Sequence, residues 1–265
     1  MEKRIIYYSS FDDDFAGTDI NTQHVPEDFP FTNDNPLWKA TGSFIYYVIA
    51  RPVGWALMKT VFGLKIENKE AFKKIGDTGV FFYGNHTQLA DVFYPPLSAG
   101  LRRCTFVAGP DTVSIKGIKQ LVLMLGALPI PDTVHGLKRF VDAIDKFYKE
   151  KRCIVIYPEA HIWPYYTGVR PFKPTSFTYP AKLKAPVVAA ATVYRKRKGL
   201  TSFIKAPAFT VIISDPIYPK EGLSSKENAE YLRDRVYEFL REQTSREDNY
   251  EYVRYIRKDS DADKD

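Results

Sequence analysis

The chain of 265 residues has little cysteine: only Cys104 and Cys153, far apart in sequence. Their separation fits no metal-ligand spacing. Neither a disulfide scaffold nor a structural zinc site is expected, and a reducing compartment fits. Long apolar runs are missing too. A spanning helix needs about 18 or more consecutive apolar residues, and the nearest candidate, residues 37–64, is interrupted by Lys39, Arg51, Pro52 and Lys59. Residues 1–10 show no apolar core followed by a small-residue cleavage site, so no secretory leader is read there. The sequence has no Gly-rich Lys-Ser/Thr loop to cradle phosphates and no dinucleotide fingerprint. It also lacks the Gly-x-Ser-x-Gly elbow of common serine hydrolases. No internal repeat or low-complexity tract is present. With 45% apolar and 26% charged residues, the composition excludes disordered and fibrous classes and suits a globular core.

The charge is unevenly placed. Residues 1–36 hold two basic and eight acidic side chains, net −6, against +6 for the whole chain, which leaves +12 on residues 37–265. A basic body attracts anions such as lipid headgroups, phosphorylated metabolites or nucleic acid. Aromatic residues make up 15% of the chain, and Tyr and Trp favour membrane interfaces because an apolar body carries a polar tip.

Four regions follow. Residues 1–36 read as an acidic, extended arm. Residues 37–64 read as two short amphipathic helices with Arg51 and Lys59 at their polar edges, separated where Pro52 and Gly54 should break the first. Such helices either pack on the domain's own core or associate with an anionic membrane surface. From residue 79, short apolar runs at 80–83, 105–108, 127–130, 153–157, 187–193 and 209–213 alternate with helical stretches at 89–101, 115–125, 135–149 and 176–183. That alternation predicts an α/β fold with a largely parallel sheet flanked by helices, occupying residues 65–245. Residues 226–243 continue as a surface helix, and 246–265 form a charged tail, loose apart from 250–256. Parallel sheets hold ligands beyond the carboxyl ends of their strands, so the residues after strand ends are the candidates for chemistry.

Two constellations stand there. Asn85, His86 and Asp91 follow the first strong strand. A histidine acts as general base near neutral pH when one ring nitrogen is free and the other is held, usually by a carboxylate. On one continuous helix, residues five apart are rotated by about 140° and do not meet. They meet if His86 sits in the turn before a helix and Asp91 one turn inside it. The second constellation is Tyr157, Pro158, Glu159 and His161 after the 153–156 strand, followed by a basic loop with Arg170 and Lys173. Here Pro158 stiffens a turn that presents Glu159 to a polar substrate. Read by residue type alone, His86, Asp91, Glu159 and His161 also compose a possible ligand set for a metal-dependent hydrolase. The run Tyr194–Lys198 is superficially like a nucleic-acid patch and reads instead as a solvated hairpin or membrane-facing loop, so no nucleic-acid partner is expected.

In this order the blocks resemble the phospholipid/glycerol acyltransferase superfamily, typified by 1-acylglycerol-3-phosphate O-acyltransferases. Asn85, His86 and Asp91 match its Asn-His-x-x-x-x-Asp core, and Tyr157, Pro158 and Glu159 match or nearly match its Phe-Pro-Glu. Phe172 and Lys173 match a following Phe-Lys, and residues 185–190 resemble its last hydrophobic strand. The resemblance covers roughly residues 40–215. It implies acyl transfer from acyl-CoA or acyl-carrier protein to a lysophospholipid hydroxyl in phospholipid biosynthesis. His86 would be the base and Asp91 its holder; Asn85, Tyr157, Pro158, Glu159, His161, Arg170 and Lys173 would contact substrate. It implies no cofactor and no metal, and a cytoplasmic, peripheral or monotopic location at the inner face of a membrane. Backbone amides after Asn85 are the expected donors to the oxyanion. Two family arginines thought to bind the acceptor phosphate are replaced here by Asp132 and Ile162. Family Gly and Thr positions hold Ala160 and His161. Arg170, Lys173, Arg102 or Arg103 would then have to supply the missing charge, or the acceptor lacks that phosphate.

Overall fold

In a computed structural model, residues 4–15, 24–114 and 117–258 are described. Among the described residues there are nine strands: β1 (Arg4–Tyr8), β2 (Lys65–Glu67), β3 (Val80–Gly84), β4 (Cys104–Ala108), β5 (Ala127–Pro129), β6 (Cys153–Ile156), β7 (Val187–Arg195), β8 (Ala208–Ile213) and β9 (Val253–Arg257). Seven of them form one sheet in the order β2-β8-β7-β3-β6-β4-β5. All neighbours in it are parallel except β7 and β8. The six apolar runs read from the sequence are six of these strands. Val80–Gly84 and Cys153–Ile156 are buried along their whole length, as strands covered on both faces must be.

Alternate residues of each strand enter different cores. Phe82, Val155 and Val188 pack with Tyr46, Met58, Phe72 and Tyr94 on one face. On the other, Phe81, Ile154 and Val187 meet Phe140, Ile144, Leu232 and Val236. The second face is covered by helices Val134–Lys149 and Ser225–Thr244. The longer of these starts at a capping box, with Ser224 accepting from the Glu227 N–H and the Glu227 carboxylate accepting from the Ser224 N–H, which satisfies two otherwise orphan donors.

The first face is covered by two α-helical segments, Pro36–Phe44 and Arg51–Thr60, joined by a π-helical stretch, Ile45–Ala50. Pro52 does not break the helix as expected, because the backbone stays right-handed at both joints. The proline falls in the first turn of the second segment, where a missing N–H costs little. The wider π turn, in which the Arg51 N–H bonds to the Tyr46 carbonyl, absorbs the mismatch. Among the described residues no helix is long and apolar enough to cross a membrane.

The two ends of the chain are the main departure. β1, within the segment read as an extended arm, pairs in parallel with β9, which begins in the 250–256 stretch excepted from the loose tail, as a separate two-stranded sheet. Cys104 and Cys153, remote in sequence, are register partners on β4 and β6 and are buried free thiols.

Candidate active site

β3 ends at Gly84, where a side chain would crowd its neighbours: a Cβ there would lie 3.0 Å from the Tyr157 ring and 3.3 Å from the Ala190 carbonyl oxygen. The chain then turns through Asn85 and His86 into a 3₁₀ turn, Leu89–Phe93. This is the turn-then-helix placement that lets residues five apart meet. His86 Nδ1 lies 3.0 Å from Asp91 Oδ2. The same oxygen accepts from the backbone N–H groups of Thr87 at 2.7 Å and Gln88 at 2.9 Å. Asp91 is fully buried, whereas the His86 side chain keeps 14% exposure, and no described residue bonds to its Nε2. With Nδ1–H donating to the carboxylate, Nε2 carries the free lone pair that a general base needs.

Tyr157 fixes the ring from one side. It stacks on His86 with centroids 4.3 Å apart and planes 13° from parallel, and its hydroxyl donates to the Asp91 carbonyl at 2.7 Å. Burial holds the Tyr157 hydroxyl well above the usual phenol pKa, so it remains a donor at all ordinary pH. Asn85 binds β7, donating to the Thr192 carbonyl at 3.2 Å and accepting from its N–H at 2.8 Å. Asn85 therefore locks the strand end and is not turned toward a ligand.

Glu159 and Arg170 differ most from expectation. Both are almost wholly buried and pair with each other at 3.1 Å. Glu159 also accepts from the Arg170 N–H at 3.0 Å and the His86 N–H at 3.4 Å. Burial, the largest influence, raises the Glu159 carboxyl above its ordinary range, and Arg170 pulls it back down. Arg170 also donates to the Phe11 carbonyl, from Nη1 at 3.1 Å, and to the His161 carbonyl, from the same Nη2 that pairs with Glu159. These side chains hold the loop together, where the sequence pattern implied contact with substrate. The amides expected to serve an oxyanion are likewise engaged, His86 N–H with Glu159 and the next two with Asp91.

Pro158 sits in the turn closed by the Ala160 N–H and the Tyr157 carbonyl at 3.1 Å. Ala160 is left-handed there, with φ 64°, a conformation glycine takes without strain. The half-exposed His161 faces Asp14 at 3.6 Å. The proposed metal set is thus not assembled: Glu159 is turned to Arg170 and His161 to Asp14. Among the described residues no group of three metal-ligating side chains is brought together.

Asp132 is at the surface, paired with His24. Arg102 and Arg103 lie before β4, at the amino edge of the sheet and away from His86, so they cannot clamp a ligand there. Of the four cations that could supply the missing charge, only Lys173 is both exposed and on the carboxyl side of its strand.

Trp163 is a site residue that the sequence pattern does not reveal. Fully buried, it donates its ring N–H to the Asp13 carbonyl at 2.7 Å. Its backbone N–H reaches the His86 carbonyl at 3.2 Å, and it stacks on Tyr255 of β9 with centroids 4.9 Å apart. No motif marks it, because its partners come from both ends of the chain.

The family model described as Acyltransferase matches residues 63–193, the span that holds His86, Asp91 and Glu159. Residues 63–193 form a domain of the acyltransferase family. The chain is an acyltransferase, as the ordered blocks implied. The fold of a crystal structure from Thermotoga maritima, titled as the 1-acyl-sn-glycerophosphate (LPA) acyltransferase PlsC, is similar. Its TM-score is 0.54 at 17% identity, covering 80% of this chain and 97% of that one. No curated protein matches the sequence. Within the acyltransferase span, β3 and β6 place the two motif blocks side by side, so that Tyr157 and Glu159 both reach the His86 turn.

Proposed function

We propose that the chain transfers a fatty acyl group from acyl-CoA or acyl-carrier protein to the hydroxyl of a lysophospholipid, 1-acylglycerol-3-phosphate. The observation that carries the reading is the buried Asp91 carboxylate 3.0 Å from His86 Nδ1, with Nε2 left free. His86 Nε2 takes the proton of the acceptor hydroxyl as its oxygen attacks the thioester carbonyl. The C–S bond then breaks, and the imidazolium returns the proton to the leaving thiolate. The products are an ester and a free thiol. Asp91 holds the ring and offsets its charge in the transition state. No acyl-enzyme is needed, and no cofactor or metal is called on. The printed title of the Thermotoga maritima neighbour supports the choice of acceptor. Lys173 is the candidate for its phosphate.

The acceptor is held in a bilayer, and the helical cover suits that. Phe44, Val48 and Trp55 are each more than half exposed. The second helical segment packs on the turn bearing Asp91, where a Cβ on Gly54 would stand 3.2 Å from Phe93. Leu89 and Val92 of that turn are also exposed, so the apolar surface continues to the site. This exposed apolar surface supports peripheral or monotopic attachment to a membrane, and the reading places it at the cytoplasmic, inner face. The test is transfer of a labelled acyl group to lysophosphatidic acid, other lysolipids and neutral alcohols, with wild type and His86→Ala side by side. Transfer that needs His86 and prefers lysophosphatidic acid is expected. Undiminished transfer by a folded His86→Ala variant overturns the mechanism, and transfer to another acceptor alone overturns the substrate.

A further inference from the structure

At the amino edge of the sheet, opposite His86, lies a cavity of about 730 Å³. A five-residue strand such as β3 separates the two edges by about 16 Å. The segments that precede β3, β4 and β6 form the floor, and the first helical segment supplies Lys39 and Ser43 as one wall. Lys39, Arg102, Arg103, Lys151 and Arg152 line it, against only two carboxylates. Those two are already taken: Asp77 by Lys151 and Glu150 by Arg152.

Arg103 is the decisive residue. Among the described residues no carboxylate pairs with it. Its Nη1 donates to Ser43 Oγ at 3.3 Å and its Nη2 to the Met124 carbonyl, while its Nε is buried with no partner. Burial lowers its pKa, and the charge of Arg152 lowers it further. A half-buried guanidinium without a counter-ion beside a second one calls for an anion. Arg102 adds a third, held by the Thr78 carbonyl at 3.0 Å. The rim is apolar on one side, where Leu101 is 84% exposed beside Tyr47, whose hydroxyl donates to its carbonyl at 2.9 Å.

We propose that this cavity binds the phosphate oxyanion of a phosphate-bearing molecule, at a site separate from the catalytic one. The apolar rim formed by Leu101 and Tyr47 suits the phosphate of an anionic phospholipid, and free phosphate shares the same chemistry. The test is equilibrium dialysis of the full chain with two probes, inorganic phosphate and dihexanoyl phosphatidylglycerol below its micelle threshold. Saturable binding of one or both is expected, and which probe binds identifies the source. Arg103→Gln is expected to weaken binding about tenfold or more. Asp77→Asn with Glu150→Gln, which frees Lys151 and Arg152, is expected to tighten it. That second variant keeps the test valid if Arg103→Gln fails to fold. His86→Ala is expected to bind the probe as wild type does, which separates this site from the catalytic reading. No saturable binding of either probe, or binding indifferent to the Arg103 and the Asp77/Glu150 changes in folded protein, overturns the proposal.

Discussion

Asp91 shows how much one carboxylate oxygen can organise. Three donors converge on its Oδ2, so the turn that carries His86 is built around the group that holds the ring. Asp91→Asn keeps the shape but gives His86 an amide in place of a charge. Steady-state transfer is expected to fall about 100-fold to 10,000-fold with the fold retained by circular dichroism. The five-residue spacing makes this pair legible in the amino-acid sequence itself. The Glu159–Arg170 pair is not legible in the same way, because a carboxylate after a strand reads equally as a ligand or as a buried counter-ion. Only burial distinguishes the two, and burial depends on the chain ends. Removing one partner leaves an uncompensated buried charge, so Arg170→Met is expected to cost about 3–5 kcal/mol. Pairing it with Glu159→Gln should cost less than the two changes summed, read by urea unfolding. Burial holds the Glu159 carboxyl above its ordinary range, so the folded chain keeps that proton at a pH where the unfolded chain has lost it. Its contribution to stability is complete below about pH 4 and is lost as pH rises through the folded value. The advantage of wild type over Glu159→Gln in thermal unfolding should therefore narrow from pH 4 to pH 7. A widening advantage would mean that Arg170 outweighs burial. Ala160 offers the opposite sign. At φ 64° an alanine is strained, and Ala160→Gly is expected to raise stability by about 1 kcal/mol, seen as a higher Tm.

The strands are legible at the level of elements because each is an apolar run long enough to be covered on both sides. The helices between them follow from their 3.6-residue period. The pairing of β1 with β9 leaves no such trace. Both strands are short and half-exposed, and nothing local specifies a partner at the opposite end of the chain. Their work is nevertheless specific. The segment after β1 supplies the Phe11 carbonyl to Arg170 and the Asp13 carbonyl to Trp163, and β9 supplies Tyr255, stacked on Trp163. The end strands thus form the outer wall of the 157–170 loop, which in turn holds the His86 turn. Removing residues 1–15 is expected to expose Trp163 and Arg170 without touching the central sheet. Hydrogen exchange should accelerate at residues 157–170 and stay slow in β3 and β6, and transfer activity should fall. Unchanged protection across that loop would show that the end strands are dispensable to the site.

The whole molecule packs its apolar helical cover against the turn that follows His86, with cations gathered at the opposite sheet edge. The interrupted apolar run at residues 37–64 signals this cover but leaves two readings open, core packing and membrane docking. The structure divides the helix between them: Tyr46, Gly54 and Met58 are buried against the domain, while Phe44, Val48 and Trp55 face outward. An apolar side chain moved from water contributes about 1.5–3 kcal/mol when fully buried. Three partly inserted together are then worth a few kcal/mol of membrane binding. Serine at all three positions is expected to weaken association with vesicles of phosphatidylglycerol and phosphatidylcholine about 100-fold in flotation assays. The Tm should hold, because none of the three supports the core. Salt separates the apolar contribution from the basic one: raising ionic strength screens the lysines and arginines but leaves the apolar term in place. Wild type should therefore retain part of its vesicle binding at high salt, and the triple-serine variant should lose nearly all of it. Equal salt sensitivity in the two proteins would assign attachment to charge alone and leave the outward aromatic face without a bilayer to meet.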